Sequence, residues 1–128
     1  KLFFKSIKKF DNQFLLINLL AINYTSTHIA YLSAERMDED DVVFVMSLSG
    51  ETAQSLKFAK IAKAKGATVV SITCIGISSL SKLADINLYI YAEEDERVEF
   101  DNKSRAPALI LFQVILDMYI NRKIDKEL

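Results

Sequence analysis

The sequence Ser47-Leu48-Ser49-Gly50-Glu51-Thr52 combines residue types that could bind an anion. Ser47, Ser49 and Thr52 each supply a hydroxyl, and Gly50 lets the backbone approach a bound group closely. If a helix begins here, its free N–H groups and the positive end of its dipole also favour a phosphate. The pattern therefore predicts a phosphate site made of hydroxyls and backbone amides. It is not a nucleotide-binding P-loop, because no G-x-x-x-x-G-K sequence occurs.

The segments on either side of this sequence favour that interpretation. Residues 42–46 are apolar and mostly β-branched, which is typical of a strand in a covered parallel sheet. Residues 51–65 carry apolar side chains on one helical face and lysines on the other, and Gly66 is a favourable stop. Ligands of parallel α/β folds bind at the carboxyl ends of strands, beside helix N-termini. The alternative is that Ser49 only caps the helix and the other hydroxyls are incidental.

The rest of the chain alternates segments of strand and helix character. Further strands are expected at residues 13–18, 67–73 and 86–91. Further helices are expected at residues 1–10, 22–37, 78–84 and 104–122. Residues 92–103 are polar and predict a loop. This alternation predicts an α/β fold, a three-layer sandwich with a mostly parallel sheet and helices on both faces.

Composition narrows the class of protein. The 128 residues fit one domain, and the formal net charge of −1 argues against a self-contained nucleic-acid-binding domain, which is usually basic. We expect no membrane span, because no apolar run reaches about 18 residues. Cys74 is the single cysteine, so no internal disulfide can form. We interpret it as a small buried apolar residue in a cytoplasmic protein.

The sequence resembles the SIS (sugar isomerase) family over roughly residues 20–120. The resemblance rests on Ser47-x-Ser49-Gly50-x-Thr52, on the helix that follows it, on Lys65-Gly66-Ala67 and on the LSKLAD stretch at residues 80–85. Within that family the chain is most similar to the effector domains of RpiR/MurR-type transcriptional regulators. The resemblance implies a flavodoxin-like domain that binds a phosphorylated sugar and forms a homo-oligomer. We expect no cofactor, and no metal site, because His28 and Cys74 alone do not make one.

The resemblance also implies roles for individual residues. Ser47, Ser49 and Thr52 would hold the phosphate, with help from the backbone amides of Gly50 and Glu51. Ser104 and Arg105 would lie on the sugar side. The alternative for Ser104 is a plain helix cap, and the alternative for Arg105 is a surface ion pair.

One part of the family pattern is not evident at the start of the chain. Family members begin with a strand and a Gly-x-Ser turn, whereas residues 1–10 predict the end of a helix. We therefore expect a partial SIS domain that lacks its first strand and any upstream DNA-binding domain. In a 2-1-3-4-5 strand order the first strand is central, so its loss would leave an unpaired edge. The first residue is not Met, which also indicates a piece of a longer protein.

The main alternative is an enzyme, a sugar-phosphate isomerase or lyase of the same superfamily. Isomerisation needs a base that moves a proton between adjacent carbons. His28 is the single histidine, and a histidine beside apolar residues is more often structural. Glu51 would be held ionised by a helix N-terminus, so its pKa should not rise toward neutrality. The sequence therefore predicts a ligand-binding domain without catalytic residues, and a helix-turn-helix segment before Lys1 would favour the regulator.

Overall fold

The computed structural model describes residues 2–5, 21–23, 26–91 and 106–127. The strands in these ranges are β1 Leu2–Lys5, β2 Ala21–Asn23, β3 Val42–Met46, β4 Thr68–Cys74 and β5 Ile86–Ile90. The helices are α1 Thr27–Ala34, α2 Ala53–Ala64, α3 Ser79–Leu83 and α4 Ala106–Glu127. The chain divides into two compact units, Lys1–Tyr89 and Ile90–Leu128.

Within the described ranges the strands form one sheet in the order β2-β1-β3-β4-β5. β1 pairs in parallel with both β2 and β3, and β3 pairs in parallel with β4. Phe3 lies opposite Val43, which in turn lies opposite Val69. This is the flavodoxin-like strand order. The predicted α/β class with a parallel sheet is confirmed.

The prediction of a helix at residues 1–10 is wrong at Leu2–Lys5, which forms β1. The expectation that the central strand is missing is therefore also wrong, because β1 lies between β2 and β3 and leaves no unpaired edge there. The physical reason lies in the pattern. A central parallel strand is covered on both faces and shows a continuous apolar run, here Leu2-Phe3-Phe4, which periodicity cannot distinguish from a helix.

The helix predicted at residues 22–37 is shorter and differently oriented. Ala21–Asn23 is a strand, and the helix extends only over Thr27–Ala34. The sequence pattern places Ile22, Ile29 and Leu32 on one apolar helical face, but Ile29 and Leu32 are 58% and 64% exposed. The buried residues of α1 are Ala30 and Ala34 instead.

The prediction for the helix after the hydroxyl sequence is confirmed. Residues 51–65 contain α2, Ala53–Ala64, and the lysines of its outer face are exposed. Lys65 is its C-cap, and Gly66 follows with φ of +94°. The N–H of Gly66 donates to Lys63 O and the N–H of Ala67 to Ala62 O, so these two carbonyls of the last turn are satisfied.

The core of the first unit lies where α1, α2 and α3 pack on one face of β3 and β4. Its largest fully buried side chain is Phe58 of α2, and Val43, Val45 and Val69 supply the sheet side. Leu80 of α3 belongs to the same cluster. The core therefore fixes the start of α2 and the start of α3 relative to the ends of β3 and β4.

In the second unit, α4 extends beyond the predicted end at Arg122 to Glu127. Ala108, Phe112 and Leu116 are buried at four-residue intervals, as expected for one stripe of a helix. Among the helices in the described ranges, none is long and apolar enough to cross a membrane. The strand predicted at residues 13–18 and the loop predicted at residues 92–103 lie outside the described residues.

Candidate functional site

The segment Ser47–Thr52 forms a tight loop between β3 and α2, and we call it the hydroxyl loop. Ser47 N–H donates to Ile72 O at 3.1 Å and so continues the pairing of β3 with β4. The chain then turns, because Gly50 N–H donates to Ser47 O at 3.0 Å and to Ser47 Oγ at 3.1 Å. Gly50 has φ of +68°, a conformation that glycine adopts without steric cost. The loop therefore lies at the carboxyl end of a central parallel strand, as predicted.

The hydroxyls of the loop occupy two different environments. Ser47 is only 6% exposed, and its Oγ lies 2.9 Å from Thr52 Oγ1. Ser49 is exposed, and its Oγ accepts a hydrogen bond from Glu51 N–H at 3.2 Å. The structure thus brings Ser47 and Thr52 into direct contact across the turn, while Ser49 lies at the surface of the loop.

The N-terminus of α2 opens directly from this loop. Thr52 is the N-cap residue and is exposed, but its side chain caps no helical N–H. The first turn of α2 contains no acidic residue. The unpaired N–H groups and the positive dipole end of α2 therefore remain suited to an anion. The alternative that Ser49 serves as the helix cap is wrong, because the N-cap is three residues further along.

Backbone amides of the loop are already engaged within it. The amide of Gly50 has two acceptors on Ser47, and the amide of Glu51 has the hydroxyl of Ser49. The hydrogen bond from Glu51 N–H to Ser49 Oγ is longer and exposed. Another oxygen could therefore replace Ser49 Oγ as the acceptor more readily than it could replace the buried acceptors of Gly50 N–H.

The loop is supported from one side by the end of β4 and the first turn of α3. Leu48 O accepts from Cys74 N–H and Gly50 O accepts from Leu80 N–H, each at 3.0 Å. Ser78 is the N-cap of α3 and forms a capping box with Ser81.

The side chain of Glu51 also belongs to this support. Its Oε1 accepts a hydrogen bond from Ser79 N–H at 2.7 Å. That backbone hydrogen bond, a further one from the Ser79 side chain and the positive charge of Lys82 hold the pKa of Glu51 below its usual value of 4.5. The carboxylate is therefore ionised at neutral pH, as predicted. However, the helix responsible is α3 rather than α2.

Sequence reasoning missed this link between the hydroxyl loop and α3. The capping serines were visible in the sequence, but Glu51 and Ser79 are separated by 28 positions along the chain. No local pattern connects residues so far apart. Only the packing of α3 against the ends of β3 and β4 brings them together.

The other residues considered in the sequence analysis are not part of the loop. Ser104 and Arg105 lie outside the described residues. His28 is exposed on α1. Cys74 is half-buried rather than buried, at the end of β4. Within the described ranges, no three His, Cys, Asp or Glu side chains are grouped so that they could hold a metal ion.

Comparison with known proteins identifies related sequences. An uncharacterized HTH-type transcriptional regulator of Caldanaerobacter subterraneus subsp. tengcongensis is 41% identical over 78 residues, 61% of this chain and 28% of that protein. The HTH-type transcriptional regulator RpiR of Escherichia coli K12 is 36% identical over 75 residues, 59% of this chain and 25% of that protein. The glutamine–fructose-6-phosphate aminotransferase of Chlorobaculum tepidum is 32% identical over 91 residues, 71% of this chain and 15% of that protein. The chain thus spans less than a third of each relative.

The fold has a solved counterpart in the Vibrio vulnificus NanR protein complexed with ManNAc-6P. The two structures superpose with a TM-score of 0.83 at 25% identity, over 98% of this chain and 50% of that one. The family model of the SIS domain matches residues 6–116. Because that match covers most of the sequence and includes the hydroxyl loop, the chain belongs to the SIS domain family.

Proposed function

We propose that this chain is the sugar-phosphate-binding effector domain of a bacterial transcriptional regulator of the RpiR type. The observation that carries the proposal is the hydroxyl loop at the start of α2, where Ser49 and Thr52 expose hydroxyls beside a helix whose first turn contains no acidic residue. Such a site suits a phosphate group through hydrogen bonds and the helix dipole. Relatives that are regulators, and the NanR complex with ManNAc-6P, support this assignment.

Each residue of the loop would have a different role in binding. The exposed hydroxyls of Ser49 and Thr52 would donate to phosphate oxygens, while buried Ser47 would hold Thr52 through their 2.9 Å contact. A phosphate oxygen would replace Ser49 Oγ as the acceptor for Glu51 N–H. The amide of Gly50 would stabilise the turn rather than contact the ligand strongly, because it is engaged with Ser47.

Isothermal titration calorimetry on the full chain tests this proposal, with ManNAc-6P and fructose 6-phosphate as probes. The unphosphorylated sugars should bind far more weakly. Each charge-assisted hydrogen bond is worth about 1.5–3 kcal/mol, so Ser49→Ala and Thr52→Ala should each weaken binding about ten- to a hundredfold. Ser33→Ala removes a hydroxyl from α1 and is the matched control. Unchanged affinity in the Ser49→Ala/Thr52→Ala double variant would refute the site.

A second candidate is an enzyme that isomerises a sugar phosphate. The observation in its favour is the similarity to the aminotransferase of Chlorobaculum tepidum over 71% of this chain. Against it, the acidic side chain of the loop, Glu51, is hydrogen-bonded to α3 with a lowered pKa and is a poor general base. Product formation from fructose 6-phosphate, followed by NMR, separates the candidates: turnover supports the enzyme, and binding without turnover supports the effector domain.

The sugar side of the site is assigned to Ser104 and Arg105 as part of the same proposal. Arg105→Ala should weaken binding of a sugar phosphate while leaving inorganic phosphate binding unchanged, because the guanidinium would contact sugar hydroxyls rather than the phosphate. Equal losses for both ligands would place Arg105 at the phosphate instead.

Three features of the biological setting complete the proposal. We propose a cytoplasmic protein that self-associates and recognises DNA through a part outside these residues. Self-association is supported by Ile110, Val114 and Met118, which are exposed at four-residue spacing on α4. The net charge of −1 disfavours DNA binding by the chain itself. Sedimentation velocity that shows a monomer, or a specific gel shift by the chain alone, would contradict these points.

A further inference from the structure

Glu51 forms a side-chain link between the hydroxyl loop and the start of α3. The loop also has two backbone links, one from Leu48 O to Cys74 N–H at the end of β4 and one from Gly50 O to Leu80 N–H in α3. The third link is the 2.7 Å hydrogen bond from Ser79 N–H to Glu51 Oε1. A substitution can remove this third link without changing either backbone link.

The hydrogen bond satisfies a group that α3 cannot satisfy by itself. Ser79 is the first residue of α3, so its N–H has no acceptor within the helix. The side chain of Ser78 caps Ser81 N–H instead. At this helix end, Ser81 N–H therefore donates to the N-cap side chain of Ser78, whereas Ser79 N–H donates to Glu51 of the hydroxyl loop.

The position of Glu51 in the loop makes this link relevant to binding. Its neighbours on either side are Gly50, which forms the turn, and Thr52, the N-cap of α2. An acidic side chain beside a phosphate site would repel the ligand if it pointed toward it. Here the carboxylate accepts a hydrogen bond from Ser79 N–H, and the positive charge of Lys82 also acts on it, which reduces that repulsion.

We propose that Glu51 is a positioning residue: its carboxylate, hydrogen-bonded to Ser79 N–H, holds the hydroxyl loop in its binding conformation without contacting the ligand. This inference rests on the proposed function of the loop. It assigns to the glutamate a role distinct from that of its backbone amide and from that of a general base.

Substitutions of Glu51 on the full chain test the role, with ManNAc-6P and inorganic phosphate as probes. Glu51→Ala should weaken binding of both about two- to fivefold, the range expected for an exposed charged contact. Glu51→Gln keeps an oxygen that can accept from Ser79 N–H and should recover most of the affinity. If Glu51 acted mainly by repelling phosphate, both variants would bind more tightly than the parent, and the proposal would be wrong.

Ser79→Pro removes the partner of Glu51 with little expected disturbance of α3. Proline is tolerated at the first position of a helix, and Ser78 before it is extended, with φ of −135° and ψ of 168°. If Glu51 acts through Ser79 N–H, Glu51→Ala should cost no further affinity in the Ser79→Pro background. Additive losses would show that the glutamate acts by another route.

These outcomes separate the inference from the proposed function. If the parent chain binds neither ManNAc-6P nor fructose 6-phosphate, the proposed function fails. If the parent binds and Glu51→Ala binds equally well, only the positioning role fails. Thermal unfolding of each variant shows whether a lost affinity reflects a lost fold, and Ser79→Ala shows the contribution of the serine hydroxyl alone.

Discussion

Gly50 packs so closely against Ser78 that no side chain fits between them: a Cβ at position 50 would lie 2.1 Å from Ser78 Oγ and 2.5 Å from Ser78 Cβ. The backbone at Gly50 is also in the left-handed region, with φ of +68°. Both constraints act at the turn of the hydroxyl loop. The loop and the N-cap of α3 therefore form one close-packed unit.

Gly50→Ala should reduce the free energy of unfolding by about 2–4 kcal/mol, because strain in the backbone adds to the displacement of Ser78. Gly66→Ala is the matched control. Gly66 also has a positive φ, +94°, but the nearest atoms to an added Cβ lie 3.6 Å away, so only the backbone cost of about 1 kcal/mol applies. Urea unfolding measures both, and equal losses would mean that Ser78 moves aside without cost.

Ser47 and Ser49 should differ in their effect on stability. Ser47→Ala removes the side-chain acceptor of Gly50 N–H, while Ser47 O remains, and it also removes the partner of Thr52 in a buried position, so we expect a loss of about 1–2 kcal/mol. Ser49→Ala affects an exposed hydroxyl and should change stability by less than about 0.5 kcal/mol. Equilibrium denaturation of both variants checks this order, and a reversed order would show that the turn depends on Ser49.

Thr73 and Ser71 provide a test of buried hydroxyls on β4. Thr73 Oγ1 is fully buried, and in the part of the chain that the structure describes it has no hydrogen-bond partner. Ser71 Oγ donates to Asn87 Oδ1 at 2.6 Å. Thr73→Val should therefore be neutral or stabilising by up to about 1 kcal/mol, whereas Ser71→Ala should cost about 1–2 kcal/mol. Thermal and urea unfolding measure both changes, and destabilisation by Thr73→Val would contradict the expectation.

The stability of the domain should fall in acid because of Asp85. Its carboxylate accepts from Val69 N–H at 2.8 Å and pairs with Lys63 Nζ at 3.1 Å. These contacts, that of Val69 first, hold the pKa of Asp85 below its usual value of 3.8. A carboxyl with a lowered pKa stabilises the fold above its unfolded pKa. That contribution is lost as the pH falls through the pKa of the folded state.

Asp85→Asn should consequently lower the free energy of unfolding at pH 7 by about 1 kcal/mol and flatten its decline below pH about 4. The decline should not disappear, because the pKa of Glu51 is lowered as well. Asp125→Asn, an exposed change of equal charge on α4, is the control. Urea titrations between pH 3 and 7 supply the measurement, and parallel curves for parent and Asp85→Asn would rule out the assigned contribution.

The sequence by itself determined the features that depend on neighbouring residues. The apolar β-branched run of β3, the lysine face of α2, the stop at Gly66 and the position of the Ser47–Thr52 loop between β3 and α2 were predicted correctly. Each rests on local chemistry: side-chain periodicity, glycine's conformational freedom, or a cluster of one functional group in six residues.

The tertiary structure alone decided the features that depend on distant residues. Leu2–Lys5 is the central strand because β2 and β3 pair with it on both sides, and an apolar run of that length does not distinguish strand from helix. The contacts of Gly50 with Ser78 and of Glu51 with Ser79 join segments about 28 residues apart. The periodicity of the sequence does not indicate that the hydroxyl loop packs against the N-terminus of α3. The close packing of whole helices and strands determines that contact.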